Sequence, residues 1–130
     1  MLLTLRAQYS AGVTPRAAAD AVISALTPAA WYRNATGVTE AGGFASQWDD
    51  YSGNTRHLVQ ATGTNQPAYA AGVFTFDGAD NFMEAATWSQ TQPITIYLVG
   101  KQITWTGNDQ LFDGNVNNSG TLYQVSATPT

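Results

Sequence analysis

Cysteine is absent from this 130-residue chain. That excludes disulfides, a thiolate nucleophile and any cysteine-based zinc site. Histidine occurs once, at position 57, too few for a histidine-built metal centre. Charge is scarce as well, at 11% of residues against roughly 25% in ordinary soluble domains. The five basic residues, Arg6, Arg16, Arg33, Arg56 and Lys101, are scattered, and the net charge is −4. Recognition of DNA or RNA needs a clustered positive field that displaces counterions from phosphates, so no nucleic-acid partner is expected. No apolar run approaches the roughly 20 residues of a membrane-spanning helix, so membrane insertion is not expected either. The apolar start at residues 1–5 is interrupted by Arg6, too early for a secretory core. Export would then proceed by lysis, by assembly into a particle, or as part of a longer chain.

What is present is an apolar fraction of 44%, with four Trp, six Tyr and five Phe. This is too aromatic for a disordered tail, and long enough for one domain that buries roughly two-thirds of its unfolded surface. Thr, Ser, Asn, Gln and Gly must supply most of the polar surface. Such a mixture suits β-rich proteins that work outside the cell or in a large assembly. Residues 1–30 read differently from residues 31–130. Thr14-Pro15 is an N-cap followed by proline at the first helical position, where a missing N–H costs nothing. Ala19, Val22, Ile23 and Leu26 follow at helical spacing, and Thr27-Pro28 closes the segment. A short amphipathic helix over about 15–26 is expected, covering one end of a sheet or anchoring the chain in an assembly.

From Trp31 onward, short apolar segments alternate with turn residues. Strands are expected at 44–48, 56–60, 73–76, 81–84, 94–100, 110–112 and 121–125. Gly42-Gly43, Ser52-Gly53-Asn54, Asp77-Gly78, Gly107-Asn108 and Asp113-Gly114 punctuate them, and Gly and Asn tolerate the positive φ of tight turns. This spacing points to an antiparallel sandwich or barrel. Residues 94–99, Ile-Thr-Ile-Tyr-Leu-Val, form the strongest strand signal and are expected in the centre of a sheet.

One combination is more specific. Trp48-Asp49-Asp50-Tyr51-Ser52-Gly53-Asn54-Thr55-Arg56-His57 is followed by Asn65-Gln66-Pro67-Ala68-Tyr69 and by Phe76-Asp77-Gly78-Ala79-Asp80. With Trp31-Tyr32 before it and 94–99 after it, this stretch resembles the concanavalin A-like, laminin-G-like jelly-roll domains of bacteriophage structural and bacterial surface proteins, over about 28–125. The resemblance implies a mainly all-β fold, an antiparallel jelly-roll β-sandwich used for glycan or protein binding. Domains of this kind run on for several more strands, so the remaining strands are expected from a longer product or a neighbouring chain. His57 is expected to support the 49–54 loop structurally, together with Asp50, Ser52, Gly53 and Asn54.

Catalysis finds little footing. A retaining glycosidase needs two carboxyls roughly 5 Å apart. The acids, Asp20, Glu40, Asp49, Asp50, Asp77, Asp80, Glu84, Asp109 and Asp113, form no alternating set on one strand. Asp49 and Asp50 are adjacent and would face opposite sides of a strand. There is no G-x-S-x-G nucleophile turn to accompany His57, and no glycine-rich phosphate loop. The chain is therefore expected not to be an enzyme. No cofactor is expected, although calcium would suit Asp50, Asn54, Asp77 and Asp80 if their loops met at one rim; Asx-turns explain the same residues without a metal. Trp31 and Trp48 read as core. Trp88 and Trp105, in polar company, are the candidate ligand-contacting residues.

Three functions follow in order. The first is a structural or adhesion module of a phage virion, contacting other subunits, further copies of itself or a host surface. The second is a carbohydrate-binding module of a bacterial surface or secreted protein, and the third, weakest, is a glycoside hydrolase. The expected location is a virion or the cell exterior.

Overall fold

The computed structural model describes residues 14–91, 93–101, 103, 110–113 and 122–123, and its first element is the helix that the Thr-Pro signal predicts. Helix α1 runs Pro15–Ala25, with the Thr14 hydroxyl accepting from the Ala17 N–H at 3.2 Å. That bond satisfies one of the four unpaired N–H groups at a helix start. Thr27 takes a left-handed φ of 47°, and Pro28 prevents another turn. No residue of α1 is buried: Val22 is 65% exposed, and Leu26 at the C-cap is 69% exposed. The helix is fastened by polar contacts instead. Arg33 Nη2 pairs with Asp20 Oδ2 at 2.6 Å, and the Arg16 guanidinium donates to the Thr36 hydroxyl and the Asn34 carbonyl.

The sheet is built around β2 (Phe44–Trp48). β1 (Val38–Ala41) reaches it through Gly42-Gly43, whose φ values of 62° and 86° meet the demand of a two-residue hairpin turn for positive φ at both positions. β1 carries a bulge between Thr39 and Glu40. Two further strands share the other edge of β2. β3 (Leu58–Val59) pairs with its end at Gln47 and Trp48, and β4 (Ala68–Ala70) pairs with its start at Phe44. β5 (Val73–Thr75) returns antiparallel to β4. The result is an open five-stranded antiparallel sheet in the order β1-β2-β4-β5, with β3 alongside β2. A separate two-stranded antiparallel ribbon joins β6 (Gln110–Phe112) to β7 (Leu122–Tyr123).

Ala45 and Pro67 are buried within the sheet, bonded through the Ala45 N–H and the Pro67 carbonyl at 3.0 Å. Aromatic rings do the rest of the packing. Phe74 stacks on Trp48 with centroids 4.5 Å apart and touches Tyr69 at 4.8 Å, while Tyr32 meets Trp48 at 5.6 Å. The Trp48 indole N–H donates to the Arg33 carbonyl at 2.9 Å, so its polar edge is satisfied as its face is covered.

The described residues form one open antiparallel sheet, a two-stranded ribbon and a short helix, the mainly β character that the sequence predicts. Two strand expectations need correcting. Residues 94–100, expected to be the central strand, lie outside every strand, and Tyr97 is 91% exposed. β-propensity records how well a side chain suits a pleated, half-covered surface, and without a neighbouring strand it creates nothing. Residues 81–84 reduce to one bridge, in which Val59 and Glu84 exchange backbone bonds of 2.7 and 3.1 Å. Among the described residues no helix is long and apolar enough to cross a membrane.

Because Phe74 joins Trp48, Tyr69 and Phe76, Phe74→Ala is expected to cost about 2–3 kcal/mol in urea unfolding, toward the low end for ring deletion since the site is only half-buried. The exposed Phe44 serves as the contrast: Phe44→Ala should cost less than about 1 kcal/mol.

Candidate functional site

The loop after β2 is organised by one carboxylate. Asp50 is buried, and its Oδ1 accepts from the backbone N–H groups of Trp31 and Ser52, both at 2.8 Å. Its Oδ2 accepts from the Ser52 hydroxyl at 2.7 Å and the Arg56 N–H at 3.0 Å. Burial pushes the Asp50 carboxyl upward, but the bonds from Ser52, Trp31 and Arg56 outweigh it and hold the group below its ordinary value. The neighbouring Tyr32 hydroxyl is pushed up to about 12 by burial and by the Asp50 charge, with Arg56 opposing. It donates to the Arg56 carbonyl at 2.6 Å.

The other loop residues complete the staple. The His57 Nδ1 accepts from the Asp50 N–H at 3.1 Å, which requires that nitrogen to be unprotonated. The Asn54 amide donates to the carbonyls of Ala29 at 3.0 Å and Pro28 at 3.3 Å, and Gly53 supplies a φ of 89° between them and Ser52. Arg56 Nη1 donates to the Ala29 carbonyl at 2.6 Å. Residues 28–32 are thereby sewn to residues 50–57.

This staple forms one wall of an open groove of about 510 Å³. Pro28 and Ala29 line that wall, Arg56 bridges the groove, and Trp88, Ser89, Gln90, Thr91 and 93–96 line the far side. The Arg56 guanidinium lies 4.8 Å from the centre of the Trp88 ring, a cation–π contact. The Trp88 indole N–H is buried without a hydrogen-bond partner among the described residues, an omission that costs about 1–3 kcal/mol. A second hollow of about 390 Å³ lies between α1 and residues 31–35, where the Arg33 guanidinium sits 4.5 Å from the Tyr51 ring and 5.5 Å from Trp31.

Of the residues singled out from sequence, Asp50, Ser52, Gly53, Asn54 and His57 fall together in the staple, and Trp88 in the groove wall. Trp105 lies outside the described residues. The calcium candidates are divided. Asp50 and Asn54 are spent on the staple, whereas Asp77 closes its own exposed turn, its Oδ1 accepting from the N–H groups of Ala79, Asp80 and Asn81. Bonds from Ala79 and Asn81, with lesser ones from Asp80, hold the Asp77 carboxyl below its ordinary value. No three His, Asp or Glu side chains come together as a metal-holding group among the described residues. Sequence reasoning missed Arg56 as the link between staple and groove. Its only signal was its place between Asn54 and His57.

No protein-family model, curated protein or solved structure matches the chain.

Asp50→Ala would strand the N–H groups of Trp31, Ser52 and Arg56, and a loss of about 3 kcal/mol is expected in chemical unfolding. The charge has its own signature. Because the folded-state value is lowered from 3.8, the stabilisation is complete above that pH and is lost as pH falls through the folded value. Unfolding measured across this acid range should show a shallower pH dependence for Asp50→Asn than for the unaltered chain.

Proposed function

We propose that this chain is a non-catalytic contact module of the structural or adhesion class, lectin-like in kind and carried by a virion or cell-surface protein. Its contact surface is the groove between Pro28-Ala29 and Trp88. The observation that carries this reading is the chemistry of that groove. A half-buried indole held by Arg56 stands among the hydroxyls and amides of Ser89, Gln90, Thr91 and Thr95. An aromatic face offers stacking area to the C–H face of a sugar ring, while neighbouring hydroxyl and amide groups take its hydroxyls. A glycan is the ligand class that uses both.

The described acids support a non-catalytic role because several are already committed. Asp20 pairs with Arg33, Asp50 holds the staple, and Asp77 holds its own turn. The low charge and the abundance of Thr, Asn and Gly are the composition expected of a particle or surface component. Subunit contact within such a particle is a second reading, favoured by the exposure of Val22 on α1 and of Leu26 at its C-cap.

A glycan array probed with the purified chain tests the first reading. At least one glycan class should be retained, and Trp88→Ala should weaken it tenfold or more, a change of about 1.4 kcal/mol. Retention of no sugar, retention indifferent to Trp88→Ala, or turnover of a β-glucan or chitin oligomer would overturn it.

A further inference from the structure

We infer that the sugar taken by the Trp88 groove is an acidic one, its carboxylate held by the guanidinium of Arg56. The inference rests on the glycan reading and narrows it. Among the described residues Arg56 is the one charged side chain along the groove, and no Asp or Glu lines it. Arg56 is half-buried, yet it forms no ion pair with a described carboxylate. The carboxylates that meet a basic side chain are Asp20, at Arg33, and Asp49, at His57. Asp50 accepts the Arg56 backbone N–H, but its other bonds come from Trp31 and Ser52. Charged groups are seldom covered without a counter-charge.

The hydrogen-bond inventory points the same way. Arg56 Nη1 donates to the Ala29 carbonyl at 2.6 Å, while Nη2 and Nε meet no acceptor among the described residues. The Trp88 indole N–H lacks an acceptor too. The two side chains, in cation–π contact at 4.8 Å, thus offer donors and no acceptor. A guanidinium lying over a ring directs its N–H groups outward in its own plane, where they match the two oxygens of a carboxylate. Such a bond is charge-assisted, roughly twice as strong as a neutral one. A neutral sugar offers Arg56 only hydroxyl oxygens and leaves its charge uncompensated. An acidic sugar supplies the counter-charge, while its ring still stacks and its hydroxyls still reach Ser89, Gln90 and Thr91. The net charge of the chain is −4, which repels anions in general, so a preference for acids has to arise at the groove itself.

Titration calorimetry of the full chain tests this with carboxylate-bearing glycans, uronic and sialic acids among them, each set against its own methyl ester. Esterification removes the charge and leaves the ring and its hydroxyls in place. The acid should bind about tenfold more tightly than its ester, or better. Arg56→Lys keeps the charge but loses the planar fork, and should remove most of that preference. Arg16→Gln, which deletes a charge on α1 outside the groove, should keep it. The ester comparison uses the unaltered chain, so it decides the matter even if Arg56→Lys disturbs the staple, which dichroism would reveal. Esters or neutral glycans bound as tightly as acids would overturn the acidic ligand and leave the glycan reading standing. Binding of sulfated glycans alone, a preference unchanged in folded Arg56→Lys, or one lost equally in Arg16→Gln would overturn it as well. No sugar bound in any form would overturn both readings together.

Discussion

The Asp50 carboxylate is the point on which the arrangement of this molecule turns. Three backbone N–H groups and one hydroxyl, drawn from Trp31, Ser52 and Arg56, end on its two oxygens. Trp31 stands before the sheet and Arg56 after β2, so these bonds close the path from the helix into the sheet. Hydrogen bonds to a charged acceptor are roughly twice as strong as neutral ones. In a chain with 11% charged residues, this one carboxylate gathers four such bonds. The cost of burying it is offset because each oxygen is fully occupied.

From that point the groove follows. With residues 28–32 fixed, the Ala29 carbonyl is available to Arg56 Nη1 and Asn54. Arg56 therefore projects from a backbone anchored at Asp50 toward the Trp88 ring. One side chain thus carries the order of the staple into a segment that contributes no strand of its own. Where a ring is held by a fixed guanidinium, a ligand entering the groove meets a surface arranged in advance, which lowers the ordering cost of binding.

Local chemistry was legible in the sequence wherever a few adjacent residues decide the outcome. Thr14-Pro15 and Thr27-Pro28 mark both ends of α1, Gly42-Gly43 marks its hairpin, and the strands at Phe44–Trp48 and Gln110–Phe112 stand at their expected bounds. Other features depend on partners distant in sequence. β4 is an Ala-Tyr-Ala segment with little strand signal, and it exists because β2 and β5 flank it. Its return turn uses Ala71 at a φ of 50°, a conformation that alanine does not advertise. The staple's residues were recognisable as a group, but the donors that saturate Asp50 are backbone N–H groups, which every residue carries and no sequence distinguishes.

Residues 94–99 and β4 make the same physical point from opposite sides. The run with the strongest propensity remains unpaired among the described residues, while one with almost none is a strand between two others. Strand formation gains its free energy from cross-strand hydrogen bonds and side-chain pairs, and a partner is a precondition that local composition cannot supply. Propensity then decides how much is left exposed where no partner arrives. For Ala-Tyr-Ala the exposed alternative would be harmless. For six consecutive uncharged residues, five of them β-branched or aromatic, it leaves apolar surface in water and a run of water-bonded backbone groups open to another strand. A partner strand would cover both.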